Sequence, residues 1–447
     1  MGAASKHFER PVWWGGARSR QAVVKWDGSA KCPDMSLLGR IIGSRIERGT
    51  LAFFWPDGSV ERFGIKTNGW PDVALRFHDK KAERRIVTNP NLGMPEAYMD
   101  GSVTVEEGDI WDLIMLVRRN APWEAGAEVG ARKPLARAGE WLLSRADQVN
   151  GIGRSRQNVA HHYDLSNDFY RLWLDEDMQY SCAYWPEEGM TLEEAQTAKK
   201  AHIAAKLALE PGQRVLDIGC GWGGTALYLA SLMDIRVHGI TLSTEQLALA
   251  KERAEKAGVA DRVTFELVDY RDLAAREPES FDRVVSIGMF EHVGQPNFET
   301  YFACVRKLMK ADGVALIHTI GRFGGPGATD AFTRKYIFPG GYIPALSETL
   351  EASEKTKLIH SDIETLRLHY GYTLRAWYER VVTQKDKVVA MYDERFYRMW
   401  IFYLAGAAAA FEGGGMCNYQ IQFVRERRAL PLSRDYMLEA ERRYLGK

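Results

Sequence analysis

The stretch Val215-Leu-Asp-Ile-Gly-Cys-Gly-Trp-Gly-Gly224 constrains this chain more than any other. A short apolar run enters a turn dense in glycine, and a helical pattern leaves it. Glycines let the backbone approach a ligand closely, and the helix N-terminus that follows points its free N–H groups at that ligand. A Gly-x-Gly turn alone is weak evidence, because nicotinamide and flavin enzymes use similar ones. The flanking segments narrow the choice. Val237-His-Gly-Ile-Thr241 predicts a second strand, and it ends in Thr241-Leu-Ser243 where a dinucleotide site would carry a ribose-binding carboxylate. Asp269-Tyr-Arg-Asp272 closes a third strand with an acidic turn where an adenine has room.

From 161 onward, helices and strands alternate. Thr191-x-x-Glu194 is a capping box opening a helix to about Leu209, stopped by Pro211-Gly212. Strands are predicted at Arg214–Ile218, Val237–Thr241, Val263–Val268, Asp282–Ile287 and Val314–Thr319, with Ser243 capping the helix after the second. The alternation predicts an α/β fold: a parallel, Rossmann-like sheet with helices on both faces. Residues 1–123 read as a small α+β unit. Pro56-Asp57-Gly58 gives a hairpin between Leu51–Trp55 and Ser59–Gly64; Val73–Phe77 and Val103–Val105 continue the strands, and Asp109–Val117 predicts a helix. Residues 124–160 are expected as a linker or interaction helix around Trp141-Leu-Leu143, 161–428 as the main domain and 429–447 as a tail.

Composition excludes several classes. Lys and Arg (59) balance Asp and Glu (59), so no global field draws the chain to nucleic acid or anionic lipid. The longest nearly apolar run, Met399–Phe411, is too short to span ~30 Å of hydrocarbon. Cys32, Cys182, Cys220, Cys304 and Cys417 show no metal spacing and suit a reducing cytosol, so no metal is expected. The pair His161-His162 reads as capping or packing, since neighbouring side chains diverge.

Taken in order, Asp217-Ile-Gly-Cys-Gly-Trp-Gly223, Gly239-Ile-Thr-Leu-Ser243, Asp269-Tyr-Arg-Asp-Leu273 and Gly288-Met-Phe-Glu-His-Val-Gly294 resemble the cyclopropane-fatty-acid synthase family of methyltransferases. The likeness begins at His162-Tyr-Asp-Leu-Ser-Asn-Asp-Phe-Tyr170 and Tyr180-Ser-Cys-Ala-Tyr-Trp185. It continues through Leu316-Ile-His-Thr-Ile320, Tyr336-Ile-Phe-Pro-Gly-Gly341 and His369-Tyr-Gly-Tyr-Thr-Leu374, with family spacing from about 161 to 425.

The resemblance implies S-adenosylmethionine as methyl donor, an unsaturated phospholipid as substrate and bicarbonate as general base. The implied cofactor residues are Tyr180, Ser181, Asp217, Gly219, Gly221, Thr241, Leu242, Gln246, Tyr270 and Arg271. The implied base site is Cys182, Glu291, His318, Ile320 and Tyr370, with Cys182 and Ile320 contributing mainly backbone. Some family members carry a late-helix cysteine where this chain has Ala407, which argues against a thiol mechanism. The segment 321–357 is expected to roof the substrate site, with Tyr336–Pro339 apolar enough to touch an acyl chain. The cysteine pattern and the lack of a spanning segment predict a cytoplasmic protein, and the resemblance further implies that it touches the inner face of the membrane transiently; a homodimer is allowed. Open alternatives are a methyl- or methylene-branched product, a small-molecule N-methyltransferase, a lipid carrier and an NAD-dependent oxidoreductase.

Overall fold

The computed structural model describes residues 35–126 and 165–446. His161-His162, Cys32 and the Trp141 segment lie outside them.

The carboxyl-terminal unit is built on a seven-stranded sheet. Its strands are β5 (Arg214–Ile218), β6 (Arg236–Thr241), β7 (Val263–Leu267), β8 (Phe281–Ile287), β9 (Met309–Arg322), β10 (Ile359–Leu366) and β11 (Met416–Val424). Their order is β10-β11-β9-β8-β5-β6-β7. Strands β5 to β9 run parallel, and β11 inserts antiparallel between β9 and β10. The central strands are buried on both faces, as continuous apolar runs such as Val215-Leu216 and Val314–Ile317 require. Chain order reverses between β5 and β8, and loops at the carboxyl ends of such neighbours form a crevice. The expected α/β fold is present.

Local signals explain the elements. Thr191 Oγ1 accepts from the Glu194 amide at 3.2 Å while Glu194 Oε2 accepts from the Thr191 amide at 2.7 Å, closing the capping box of the helix Leu192–Leu207. Ser243 Oγ accepts from the Gln246 amide at 3.2 Å at the start of the helix Thr244–Lys256. Two segments differ from their sequence readings. Residues 321–322 complete β9, and the rest of the expected insertion carries a π-turn at Thr333–Ile337 and a helix at Leu346–Lys355. The expected tail holds a helix, Asp435–Tyr444, docked on Leu192–Leu207 through Glu441 Oε2, 2.9 Å from His202 Nδ1. A buried imidazole sought its carboxylate there, and no periodic apolar run advertised it.

The amino-terminal unit is a four-stranded sheet, order β2-β1-β3-β4, formed by β1 (Gly49–Phe54), β2 (Val60–Ile65), β3 (Asp72–Phe77) and β4 (Val103–Glu107). The β1–β2 hairpin falls at Pro56-Asp57-Gly58, as expected. Parallel register pairs Leu51 with Val73 and Phe53 with Leu75, so these side chains form an apolar stripe on one face of the sheet, with Glu61 opposite Phe53 at its edge. The helices Lys80–Thr88, Pro90–Met99 and Ile110–Asn120 cover it. The unit sits on two helices of the larger one, with Tyr98 against Phe402 of Glu394–Glu412 and Trp111 against Tyr378 of His369–Thr383. Glu96 holds the joint: its Oε1 accepts from Lys335 Nζ (2.7 Å) and the Tyr336 hydroxyl (2.8 Å), and its Oε2 from Arg85 (2.7 Å).

Candidate active site

Glycine geometry builds the first pocket. Gly219 and Gly221 follow β5 at φ of +80° and +54°, a region that L side chains rarely adopt. A Cβ at Gly219 would meet the Met289 side chain at 2.8 Å, while one at Gly221 would project into open space over the pocket. The turns after β6 and β7 complete the rim. Thr241 Oγ1 donates to Gln246 Oε1 at 3.0 Å, and the Arg271 guanidinium pairs with Asp269 at 2.7 Å. All ten expected cofactor residues line this one pocket, from Tyr180 and Ser181 to Tyr270 and Arg271.

Two charged groups lie beneath it. Asp217 is buried, and its Oδ2 has no hydrogen-bond partner among the described residues; burial pushes the carboxyl up to about 7. Lys199 is fully buried, donating from Nζ to Gln179 Oε1 (2.5 Å) and Ser181 Oγ (2.9 Å), and burial draws its ammonium down to about 8. Sequence reasoning missed Lys199, because a lysine in a helical pattern reads as a solvated face. It also passed over Met289 and His292 as lining residues, while Asp269, in the acidic turn read as having room for an adenine, does line the pocket. A bare glycine turn, a buried acceptor without a partner and the ring of Tyr270 together fit a nucleoside carrying a cationic donor.

The second cavity, about 570 Å³, is mostly apolar. Cys182, Glu291, His318, Ile320 and Tyr370 all line it. Glu291 reaches back from a single turn after β8, and its Oε1 accepts from the Ile320 amide at 2.5 Å. Its Oε2 is buried with no hydrogen-bond partner among the described residues, and burial pushes the carboxyl up to about 7. His318 lies on β9, 1% exposed, with burial pushing its imidazole down to about 3, so the ring is neutral at physiological pH. Gln420 Nε2 lies 3.1 Å from its Nδ1; with the amide as donor, Nδ1 accepts and Nε2 carries the hydrogen.

Gln420 and Asn418 were missed. They lie on β11, in register with His318 and Ile320, a hundred residues away along the chain, so only the antiparallel pairing brings them in. Asn418 Oδ1 is buried without a hydrogen-bond partner among the described residues. Cys182 is a buried thiol pushed up by burial, its Sγ donating to the Ala183 carbonyl, which suits packing better than nucleophilic attack. Ala407 lines the cavity too. Of the expected acyl contacts, Phe338 lines this cavity, Pro339 lines the glycine pocket, and Tyr336 gives its hydroxyl to Glu96.

Tyr180, Ser181, Gly288 and His292 line both cavities. A nucleotide-shaped pocket therefore opens directly into an apolar chamber holding a carboxyl, a neutral imidazole and a phenol. The family model described as Mycolic acid cyclopropane synthetase matches residues 152–421. The chain belongs to this family.

Members of the cyclopropane synthetase family resemble it over more than the catalytic unit. The cyclopropane-fatty-acyl-phospholipid synthase of Escherichia coli (strain K12) is 39% identical over 82% of this chain and 91% of its own length. The tuberculostearic acid methyltransferase of Mycobacterium tuberculosis is 32% identical over 90% of this chain and 96% of its own. Among solved structures, a mycolic acid cyclopropane synthase complexed with SAH and CTAB shares 34% identity and a TM-score of 0.57, covering 60% of this chain and 97% of that one. A second family model, described only as a domain of unknown function, matches residues 44–123. This cyclopropane synthetase family member is an S-adenosylmethionine-dependent methyltransferase with the sheet of that class.

Proposed function

We propose that this enzyme transfers a methyl carbon from S-adenosylmethionine to a cis double bond in a phospholipid acyl chain and closes it to a cyclopropane ring. The observation that carries the reading is the shared wall at Tyr180, Ser181, Gly288 and His292, which lets a methyl donor in one cavity face an alkene in the other.

S-Adenosylmethionine supplies an electrophilic methyl when bound; Gly219, Gly221, Asp217 and Tyr270 would hold it. An alkene is a feeble nucleophile, so the chain must be held within ~3–3.5 Å of that methyl and shielded from water. The apolar cavity supplies the shielding. As the alkene's electron pair forms the new C–C bond and the S–C bond breaks, positive charge appears on the neighbouring chain carbon. The faces of Tyr180, Tyr403 and Phe338 line the cavity where that charge develops and stabilise it. Loss of a proton from the added carbon then closes the ring.

Bicarbonate would supply the base for that proton. A small planar anion with one O–H fits the donor set: Glu291 Oε2 lacks a hydrogen-bond partner among the described residues and accepts, while His318 Nε2–H and the Tyr370 hydroxyl donate. A neutral His318 adds no competing positive charge. The phospholipid also brings the protein to a membrane surface. No helix among the described residues is long and apolar enough to cross a membrane.

The test of the reaction is incubation of the full chain with vesicles of cis-unsaturated phospholipid and methyl-labelled S-adenosylmethionine. A lipid gaining one labelled methylene with high-field ring protons by NMR is expected; unlabelled lipid would overturn the proposal. A second reading keeps the cofactor and gives a branched chain. It is favoured by the 32% identity to a tuberculostearic acid methyltransferase, which extends over the amino-terminal unit. Labelled lipid without ring protons would select it.

A further inference from the structure

A four-stranded sheet with three covering helices should fill its own core, because interiors pack as densely as organic crystals. The amino-terminal unit does not. The cavity that begins at Glu291 and Tyr370 continues past Gly406, Ala407 and Ala410 and ends among side chains of the other unit. Its far end is walled by Leu51, Phe53, Leu75 and Phe77 on one sheet face and by Ile86 and Leu113 on the helices above it. Each of these six is almost fully buried. Unfilled apolar volume of this kind destabilises a fold unless something occupies it.

The small residues of the helix Glu394–Glu412 keep the passage open. A Cβ built on Gly406 meets nothing within 4 Å, although this glycine has ordinary helical backbone. The same helix presents bulky Trp400 away from the cavity.

We propose that the methyl-terminal segment of the reacting acyl chain lies inside the amino-terminal unit, which thereby acts as a ruler selecting the double-bond position that reaches the transferred methyl. This rests on the acyl-chain reading above. The direction of the chain follows from desolvation. The walls of the deep end are mostly hydrocarbon, with Asn91 and Arg118 the polar residues that the smaller unit adds to the lining. An ester and a phosphate could not leave water there without partners, whereas a hydrocarbon tail gains by doing so. Once the tail packs against Leu51, Phe53, Leu75 and Phe77, the number of carbons beyond the double bond decides which carbon stops beside Tyr180 and Glu291.

The experiment uses the full chain and vesicles containing two phospholipids of one acyl length, whose cis double bonds lie nearer to or farther from the methyl end. Products are resolved by gas chromatography with mass detection. Leu75→Phe shortens the deep end and should shift the product ratio about tenfold toward the isomer with the shorter methyl-terminal segment. Phe53→Leu lengthens it and should shift the ratio a few-fold the other way. The enlarging variant keeps the test alive if the filling one fails to fold. An unmoved ratio in an active Phe53→Leu protein, or a shift of the wrong sign, overturns the ruler. Wild type that labels neither isomer defeats the acyl-chain reading itself, a separate result.

Discussion

The two cavities of this molecule are built on opposite principles. The glycine pocket is local: three consecutive strand ends, each followed by its own turn, supply eight of the ten residues expected to hold the cofactor, and Tyr180 and Ser181 add the other wall. The apolar cavity is assembled from distance, drawing on β9, β11, the helix Glu394–Glu412 and a separate small sheet. One is fixed by backbone conformation, the other by which surfaces two units leave unfilled. Damage to the first should therefore be severe and confined to cofactor binding; damage to the second should be graded and fall on the lipid.

The largest expected effect breaks the pocket without touching the cavity. Gly221→Leu places a side chain in the cofactor's space and forces a β-carbon into a left-handed backbone. Affinity for S-adenosylhomocysteine should fall at least ~100-fold, about 3 kcal/mol, by calorimetry. Retained affinity would mean that the turn does not contact the ligand.

Next comes the polar cluster of the apolar cavity. Glu291→Gln removes the buried carboxylate while keeping its shape. Turnover should drop ~10²–10³-fold, with S-adenosylhomocysteine affinity within about twofold of wild type. A parallel loss of both would place Glu291 in the cofactor pocket.

Much of this was legible beforehand, and the reason is the same contrast. Strand β5, the capping boxes, the hairpin at Asp57-Gly58 and the cofactor turns are specified by neighbours in sequence, so period and turn chemistry reveal them. Glu291 and His318 were legible through the family pattern alone, since each would otherwise pass for a helix-start charge and a core histidine. Asn418, Gln420 and Lys199 were not legible: an amide on a late strand and a lysine on a helix acquire meaning only when pairing or burial brings them to the site. The hollow interior of the small unit was equally hidden, because Leu51, Phe53 and Leu75 read as ordinary core positions.

Smaller effects sharpen the comparison at the joint between the units. Hydrogen bonds from Lys335, Arg85 and Tyr336 outweigh the burial that opposes them and hold the Glu96 carboxyl at about 2, below the ordinary 4.5. Its contribution is therefore present above pH ~4.5 and is lost as pH falls toward 2. Glu96→Gln should cost about 1 kcal/mol at pH 7, after allowance for the half-exposed Lys335, and the difference should vanish in acid. Denaturant melts at several pH values measure it; a pH-independent difference would show that charge is not what Glu96 contributes.

Glu291 has the opposite sign. Its folded-state carboxyl titrates near 7 instead of 4.5, so the native state binds more protons between those values and loses stability as pH rises through them. In carbonate-free buffer, Glu291→Gln should therefore gain ~1–3 kcal/mol on wild type between pH 5 and pH 8. A constant offset would mean that the carboxylate is already compensated.

The most direct test is a crystal structure of the full chain with S-adenosylhomocysteine and a cis-unsaturated phospholipid. The account predicts the nucleoside over Gly219 and Gly221 and the double bond beside Tyr180, between the cofactor sulfur and the Glu291–His318–Tyr370 cluster. An acyl chain bound away from that shared wall, or a nucleoside outside the glycine turns, would contradict it.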